Sequence, residues 1–288
     1  MEDLMPCALL ILLVVGPVFV AYRIAARIAA NSSLTWGTRL VGAGAVGFLG
    51  CLVAGVLLRI VILPAISPPR EAIRRSLCAS NLKQIALGME NYREKYGCFP
   101  PAYSVDKEGR PLHTWRVLLL PFIGEKALYD RLRLDEPWDS PHNQAVFDSV
   151  GAEHGRGGRT PDCYRCPADQ GNRSETNYVM LVGPNTISNG PGCVHLKDIT
   201  DGPGKTICVV EVTGMGIRWY EPVDLDAEQM TYRINDPEVG GISSRHGPYA
   251  QVAMCDSSVR VLQDSIDPEL VKGASTINGR EDLSAFPR

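Results

Sequence analysis

The chain has 288 residues, with 29 basic and 32 acidic side chains, a net charge of −3 and a pI near 6.0. That length holds a membrane anchor plus one domain of ordinary size, and the near-neutral balance excludes a whole-protein basic field of the kind that binds nucleic acid. Charged residues are scarce before Pro68 and frequent after it, which makes that position the main compositional boundary.

Leu4 to Ala21 is apolar and long enough to span a bilayer. The start, Met1-Glu2-Asp3, lacks a basic region, and no small-residue cleavage site precedes Arg23, so an uncleaved helix is expected rather than a signal peptide. Leu40 to Leu58 is an uninterrupted run of nineteen apolar and small residues that passes Arg59 and continues to Ile66. At roughly 1.5 Å of rise per residue such a run crosses a membrane. The expected anchor is therefore 1–67, with spans at about 4–21 and 40–66, and 68–288 is the domain beyond it. Arg23, Arg27 and Arg39 lie between the spans without an acidic residue, which by the positive-inside rule puts the connector in the cytoplasm. Arg70, Arg74 and Arg75 flank the second span on its other side and pull the opposite way. Their position suits lipid headgroups better than nucleic acid.

Pro69 to Tyr96 then reads as an amphipathic helix. Ile73, Leu77, Leu82, Ile85, Leu87, Met89 and Tyr92 recur near helical spacing, and the charges fall largely between them. It stops at Gly97-Cys98-Phe99-Pro100-Pro101, and one stripe of it must be buried by the rest of the chain. Tyr103 to Leu112 is a polar loop, His113 to Ile123 an apolar segment with a short helix, and Pro137 to Asn143 a rigid turn. Gly151 to Asp162 is a Gly- and Arg-rich surface loop. Strands are expected at Tyr178 to Val182 and Lys205 to Val212, and a two-stranded hairpin turns at Asp256 within Val252 to Leu262.

Several blocks together resemble a known family. Leu63-Pro64-Ala65-Ile66, Arg70-Glu71-Ala72, Cys78, Asn81-Leu82-Lys83-Gln84-Ile85, Asn91-Tyr92, Tyr96-Gly97 and Phe99-Pro100-Pro101 are similar to the opening of the bacterial domain of unknown function 1559. So are Pro137-Trp138-Asp139-Ser140-Pro141, Cys166-Pro167-Ala168-Asp169, Thr176-Asn177-Tyr178-Val179, and His246 followed ten residues later by Asp256. In the last block Ser257 stands where the family has Gly, at a steric cost if the backbone there has positive φ.

The resemblance implies an α+β, pilin-like fold, in which a long N-terminal helix continues a transmembrane helix and packs on an antiparallel sheet. The first apolar segment adds a further membrane helix. Asn81, Tyr92, Pro100, Pro101, Trp138, Asp139, His246 and Asp256 are implied to be structural motif residues. The domain is implied to be exported, at the inner membrane of a bacterium. Its implied partners are the lipid bilayer and other envelope proteins or further copies of itself. The alternative is an extracytoplasmic binder of a small solute. Gly47-Phe48 offers the step at which prepilins are cut, but no Glu follows at the fifth position, so no processing and no filament signal are expected.

Nine cysteines are present. Cys7 and Cys51 sit in the apolar runs, and seven remain, an odd number that leaves one unpaired or joined between chains in an oxidising compartment. Cys163-Tyr164-Arg165-Cys166 has the spacing of a redox pair or half a zinc site, but a structural disulfide using one of them suits the compartment better. Disulfide candidates are Cys78, Cys98, Cys163 and Cys166, and the resemblance points to Cys78 with Cys166, stapling helix to sheet. His246 and Asp256 fit a dyad or metal ligands, though hydrogen bonding within a turn explains both. Asp198 and Asp201, with Glu211, are candidate calcium ligands, short of the six oxygens such a site needs. Gly202 to Thr206 ends like a phosphate loop but precedes a strand, and a Gly-x-Ser-x-Gly elbow is absent. No cofactor is implied, and a non-catalytic role is expected.

Overall fold

In the computed structural model the described residues are 4–30, 35–57, 59, 63–151, 157–237 and 240–287. Residues 58 and 60–62 of the expected second span, and 152–156 of the Gly-rich loop, lie outside them. The chain divides into two compact units, Met1–Ala72 and Ile73–Arg288.

The first unit holds α1 (Leu4–Ala30) and α2 (Trp36–Leu57), and α3 (Leu63–Tyr96) begins in it. Small residues let α1 and α2 approach closely. A Cβ on Gly50 would meet the Ala21 Cβ at 2.7 Å, and one on Gly42 would meet Ile28 Cγ2 at 3.1 Å. Contact through small residues suits helices whose apolar side chains have no water to escape. Within α2, Trp36–Val53 is long and apolar enough to cross a membrane, with a mean hydropathy of 1.4. The expected span 40–66 lies on α2 as far as Leu57 and on α3 from Leu63 onward.

In the second unit α3 buries Cys78, Leu82, Ile85, Ala86 and Met89, a single stripe at helical spacing. Three residues of the expected stripe are exposed instead: Ile73, Leu77 and Leu87. Leu77 and Leu87 are each one residue, about 100°, from the buried Cys78 and Ala86 and so point away from the core. The helix ends at Gly97, whose φ of +83° lets its N–H reach the Arg93 carbonyl at 2.7 Å. The supposed polar loop that follows is a small hairpin, β1 (Tyr103–Val105) with β2 (Pro111–Thr114). Asp106 closes it by accepting from the Glu108 and Arg110 amides.

Short helices α4 (Trp115–Leu118) and α5 (Lys126–Tyr129) and the longer α6 (Pro141–Ser149) come next. Ser140 caps α6 by accepting from the Asn143 N–H, and Pro141 opens it, so the expected rigid turn is a helix start. The main sheet comprises β3 (Tyr178–Val182), β4 (Ile207–Glu211), β5 (Leu225–Asp226), β6 (Tyr249–Met254) and β7 (Val259–Gln263), in the order β5-β3-β4-β6-β7. All pairings are antiparallel except β3 with β5, so the sheet is mixed rather than purely antiparallel. Helix α7 (Pro268–Ala274) follows.

The sheet separates two apolar cores. Leu82, Ile85 and Met89 of α3 share one with Tyr178, Met180, Cys208 and Ala253. Val271 and Ala274 of α7 share the other with Val179, Leu181, Val210 and Val252. With both faces covered, β4 is buried at every position, which is why its sequence is nearly continuous in apolar residues. The class is α+β.

Candidate functional site

Four titratable side chains from four separated elements meet at the edge of the α3 core. They are Cys78 of α3, Cys166 of the loop before β3, Glu211 at the end of β4 and His246 of the loop before β6, and one ligand atom from each lies within 4.8 Å of all the others. Every one is buried. His246 Nε2 is 3.1 Å from Cys78 Sγ, 3.3 Å from Cys166 Sγ and 3.7 Å from Glu211 Oε1.

Local wiring brings these residues together. Asn81, one turn beyond Cys78, donates to the Arg165 carbonyl at 2.8 Å and so ties α3 to the loop carrying Cys166. The Cys166 N–H donates to Asn177 Oδ1 at 2.9 Å, and Asn177 Nδ2 reaches Asp169 and the Val212 carbonyl. Arg245 pairs with Asp169 at 3.3 Å, joining the Cys166 loop to the residue before His246. Asn235 then holds the His246 loop, accepting from the Ser244 N–H and donating to the Gly247 carbonyl.

The electrostatics are those of a closed site. Burial pushes the Glu211 carboxyl above its usual range, with His246 the main opposing influence. The Cys78 sulfur alongside, and then burial, push the Cys166 thiol up. A cysteine nucleophile requires the reverse, a depressed pKa and access for substrate. The Cys166–His246 contact therefore lacks what nucleophilic catalysis needs. Two thiols, an imidazole nitrogen and a carboxylate oxygen are, however, a set of donors that can hold a metal ion.

The other expected residues have separate tasks. Cys98, a disulfide candidate, is bonded to Cys193, 95 residues away, a cysteine outside the candidate set. Cys78 and Cys166 are near neighbours but unbonded, each within 3.3 Å of His246 Nε2. Cys163 is unbonded within the α3 core, where burial pushes its thiol up to about 12, the reverse of the depressed pKa that a reactive redox thiol needs. Asp256 lies apart from His246: it accepts from the Ser258 amide and hydroxyl in the β6–β7 turn, as a turn aspartate does. Asp198 accepts from the His195 N–H, while Asp201 accepts from the Gly279 and Arg280 amides. Those carboxylates cap backbone in two different places and form no shared calcium cage. Tyr92 meets Tyr96 at a tilt and Phe122 edge-on, Pro100 and Pro101 follow the α3 cap, Trp138 packs on Tyr220, and Asp139 is exposed beside the α6 cap.

Sequence reasoning missed a buried ion pair. Arg116 and Asp224, with essentially no exposed side-chain surface, meet at 2.7 Å. Arg116 also donates to the Trp219 and Val223 carbonyls, and Asp224 Oδ1 accepts from Trp115 Nε1 and the Met180 N–H. Nothing in the local pattern signals it, since the partners are 108 residues apart. The guanidinium and Asp224 Oδ1 are committed to these bonds, while Asp224 Oδ2 is buried without a hydrogen-bond partner, and the pair acts as a structural tie.

A family profile described as protein of unknown function, domain of unknown function 1559 (SBP_bac_10), matches residues 67–192 and 213–269. Cys78, Cys166 and His246 lie inside the match, and Glu211 falls just before its second segment. No curated protein and no solved structure matches the chain. With more than half of its residues matched, the chain belongs to the domain of unknown function 1559 family.

Proposed function

We propose that this protein is a membrane-tethered, extracytoplasmic module of the bacterial inner membrane, with a pilin-like arrangement of helix on sheet and a structural or protein-binding role. The observation that carries the reading is the Cys98–Cys193 disulfide, in the unit that follows the apolar helices. Disulfides persist in oxidising compartments and are rare in the cytosol. The apolar stretch Trp36–Val53 supports the tether. The commitment of Arg116, Asp224 and the inward-facing thiols to a closed interior supports a non-catalytic role. Its partners are the bilayer and other envelope proteins or its own copies, and nucleic acid is not among them. External protease applied to spheroplasts should remove a C-terminal tag. A tag that stays protected until the membrane is permeabilised overturns the reading.

One observation favours a second reading, a binder of a small extracytoplasmic solute. A cleft of about 480 Å³ is lined by Thr213, Asn235, Ser243, Ser244 and Arg245 among others. Its size and its convergent polar groups are those of a ligand pocket. A thermal-shift screen of polar solutes separates the two readings: a ligand whose effect is lost on Arg245→Ala would favour the binder.

A further inference from the structure

We propose that Cys78, Cys166, Glu211 and His246 bind one divalent zinc ion in a closed, four-coordinate site that fastens α3 to the sheet. The donor set fits this cation. Zinc takes cysteine thiolates, histidine nitrogens and carboxylate oxygens in tetrahedral sites, and structural sites use four protein ligands. Bonds of about 2.0–2.3 Å at tetrahedral angles place ligand atoms about 3.3–3.8 Å apart. The separations from His246 Nε2, at 3.1, 3.3 and 3.7 Å, need only slight expansion to match. Magnesium and calcium prefer all-oxygen shells, and the mixture with imidazole and carboxylate argues against a purely soft site for monovalent copper.

Neither bland account satisfies the groups. In a hydrogen-bonded cluster, one imidazole nitrogen carries one proton or one lone pair, yet two sulfurs lie within 3.3 Å of it. Glu211 Oε1, wholly buried, has no hydrogen-bond partner. A Cys78–Cys166 disulfide would take both thiols from the imidazole and leave its Nε2 facing only Oε1, at 3.7 Å. A cation at the centre engages all four atoms at once. The buried Tyr178 side chain interacts with both thiols, Cys78 the first of them. It would become an outer donor to a thiolate, the usual support of a metal ligand.

The ligands come from α3, two loops and β4, so the ion would join parts of the chain that are 168 residues apart. The test uses the full-length chain, purified in detergent from zinc-supplemented cells. Elemental analysis should find about one zinc per chain. Cys78 and Cys166 should resist alkylation until a strong chelator is added, as read by peptide mass spectrometry. Cobalt added to the stripped chain should give the intense visible bands of tetrahedral coordination, with thiolate-to-metal charge transfer. Glu211→Gln should weaken binding and keep the charge-transfer band, whereas Cys78→Ser/Cys166→Ser should abolish the band. Should the double variant fail to fold, the parent protein still decides. A Cys78–Cys166 disulfide in the purified chain, or reduced thiols that bind neither zinc nor cobalt, overturns the site.

Discussion

Arg116 and Asp224 show how much one residue can carry. The carboxylate answers a guanidinium from which water is excluded, and it also accepts from Trp115 and Met180. Removing one partner of such a pair leaves the other charge buried and unmatched, at a cost of about 3–5 kcal/mol. Asp224→Ala should therefore lower stability by about that much, measured by urea unfolding of the detergent-solubilised chain. A loss below about 1 kcal/mol would mean that water or another group replaces the carboxylate. His113 makes a pH-dependent contribution. It is fully buried, its Nε2 meets the Arg133 carbonyl at 3.3 Å, and burial holds its pKa below the usual histidine value. The unfolded chain then takes up a proton near pH 6.5 that the folded chain refuses, so stability falls as pH drops below about 6.5 and levels off under the folded pKa. In His113→Gln the acid-side loss should be smaller than in the parent when unfolding midpoints are compared between neutral and mildly acidic pH. Ser257 is the residue at which the departure from the family pattern mattered. It keeps a φ of +66° despite its Cβ, held by Lys83 donating to its carbonyl at 2.7 Å and by its own hydroxyl donating to the Ala86 carbonyl at 3.3 Å.

At the scale of the element, α3 divides by face. Leu82 is fully buried between α3 and the sheet, while Leu77, five residues earlier, is 47% exposed. Leu82→Ala should cost about 2–5 kcal/mol through lost burial and the cavity left behind. Leu77→Ala should stay within about 0.5 kcal/mol of the parent. Parallel thermal unfolding of the two variants checks the assignment, and equal losses would put the helix in another rotation. Local patterning made the helix, its stop at Gly97 and the central strand legible, because periodicity and turn chemistry are properties of neighbouring residues. It could not choose between Leu77 and Cys78 as the buried position. That choice depends on which residues the sheet presents, and Asn81 fixes it by bonding the Arg165 carbonyl.

For the molecule as a whole, the Cys98–Cys193 bond closes a loop of 95 residues between the end of α3 and the segment before β4. In the chain-entropy account a crosslink over such a span stabilises by about 4–5 kcal/mol, with measured effects of about 2–5. Cys98→Ala/Cys193→Ala should lower the unfolding midpoint accordingly. An unchanged midpoint would mean that the two cysteines are not bonded in the mature protein, and would remove the support the disulfide gives to an extracytoplasmic address.

The sequence by itself determined the apolar N-terminal run, the long helix that follows, the α+β class and membership of the family. Each of these is written in residue types at short, regular spacing. Only the tertiary structure decided which cysteines bond, that Asp224 answers Arg116, and that His246 belongs with Cys78, Cys166 and Glu211 rather than with Asp256. Those partners are scattered along the chain, and the folded backbone alone sets the few ångströms between them. Sulfur–nitrogen and ion-pair chemistry depends on that distance and on exclusion of water, neither of which has a signature in sequence spacing.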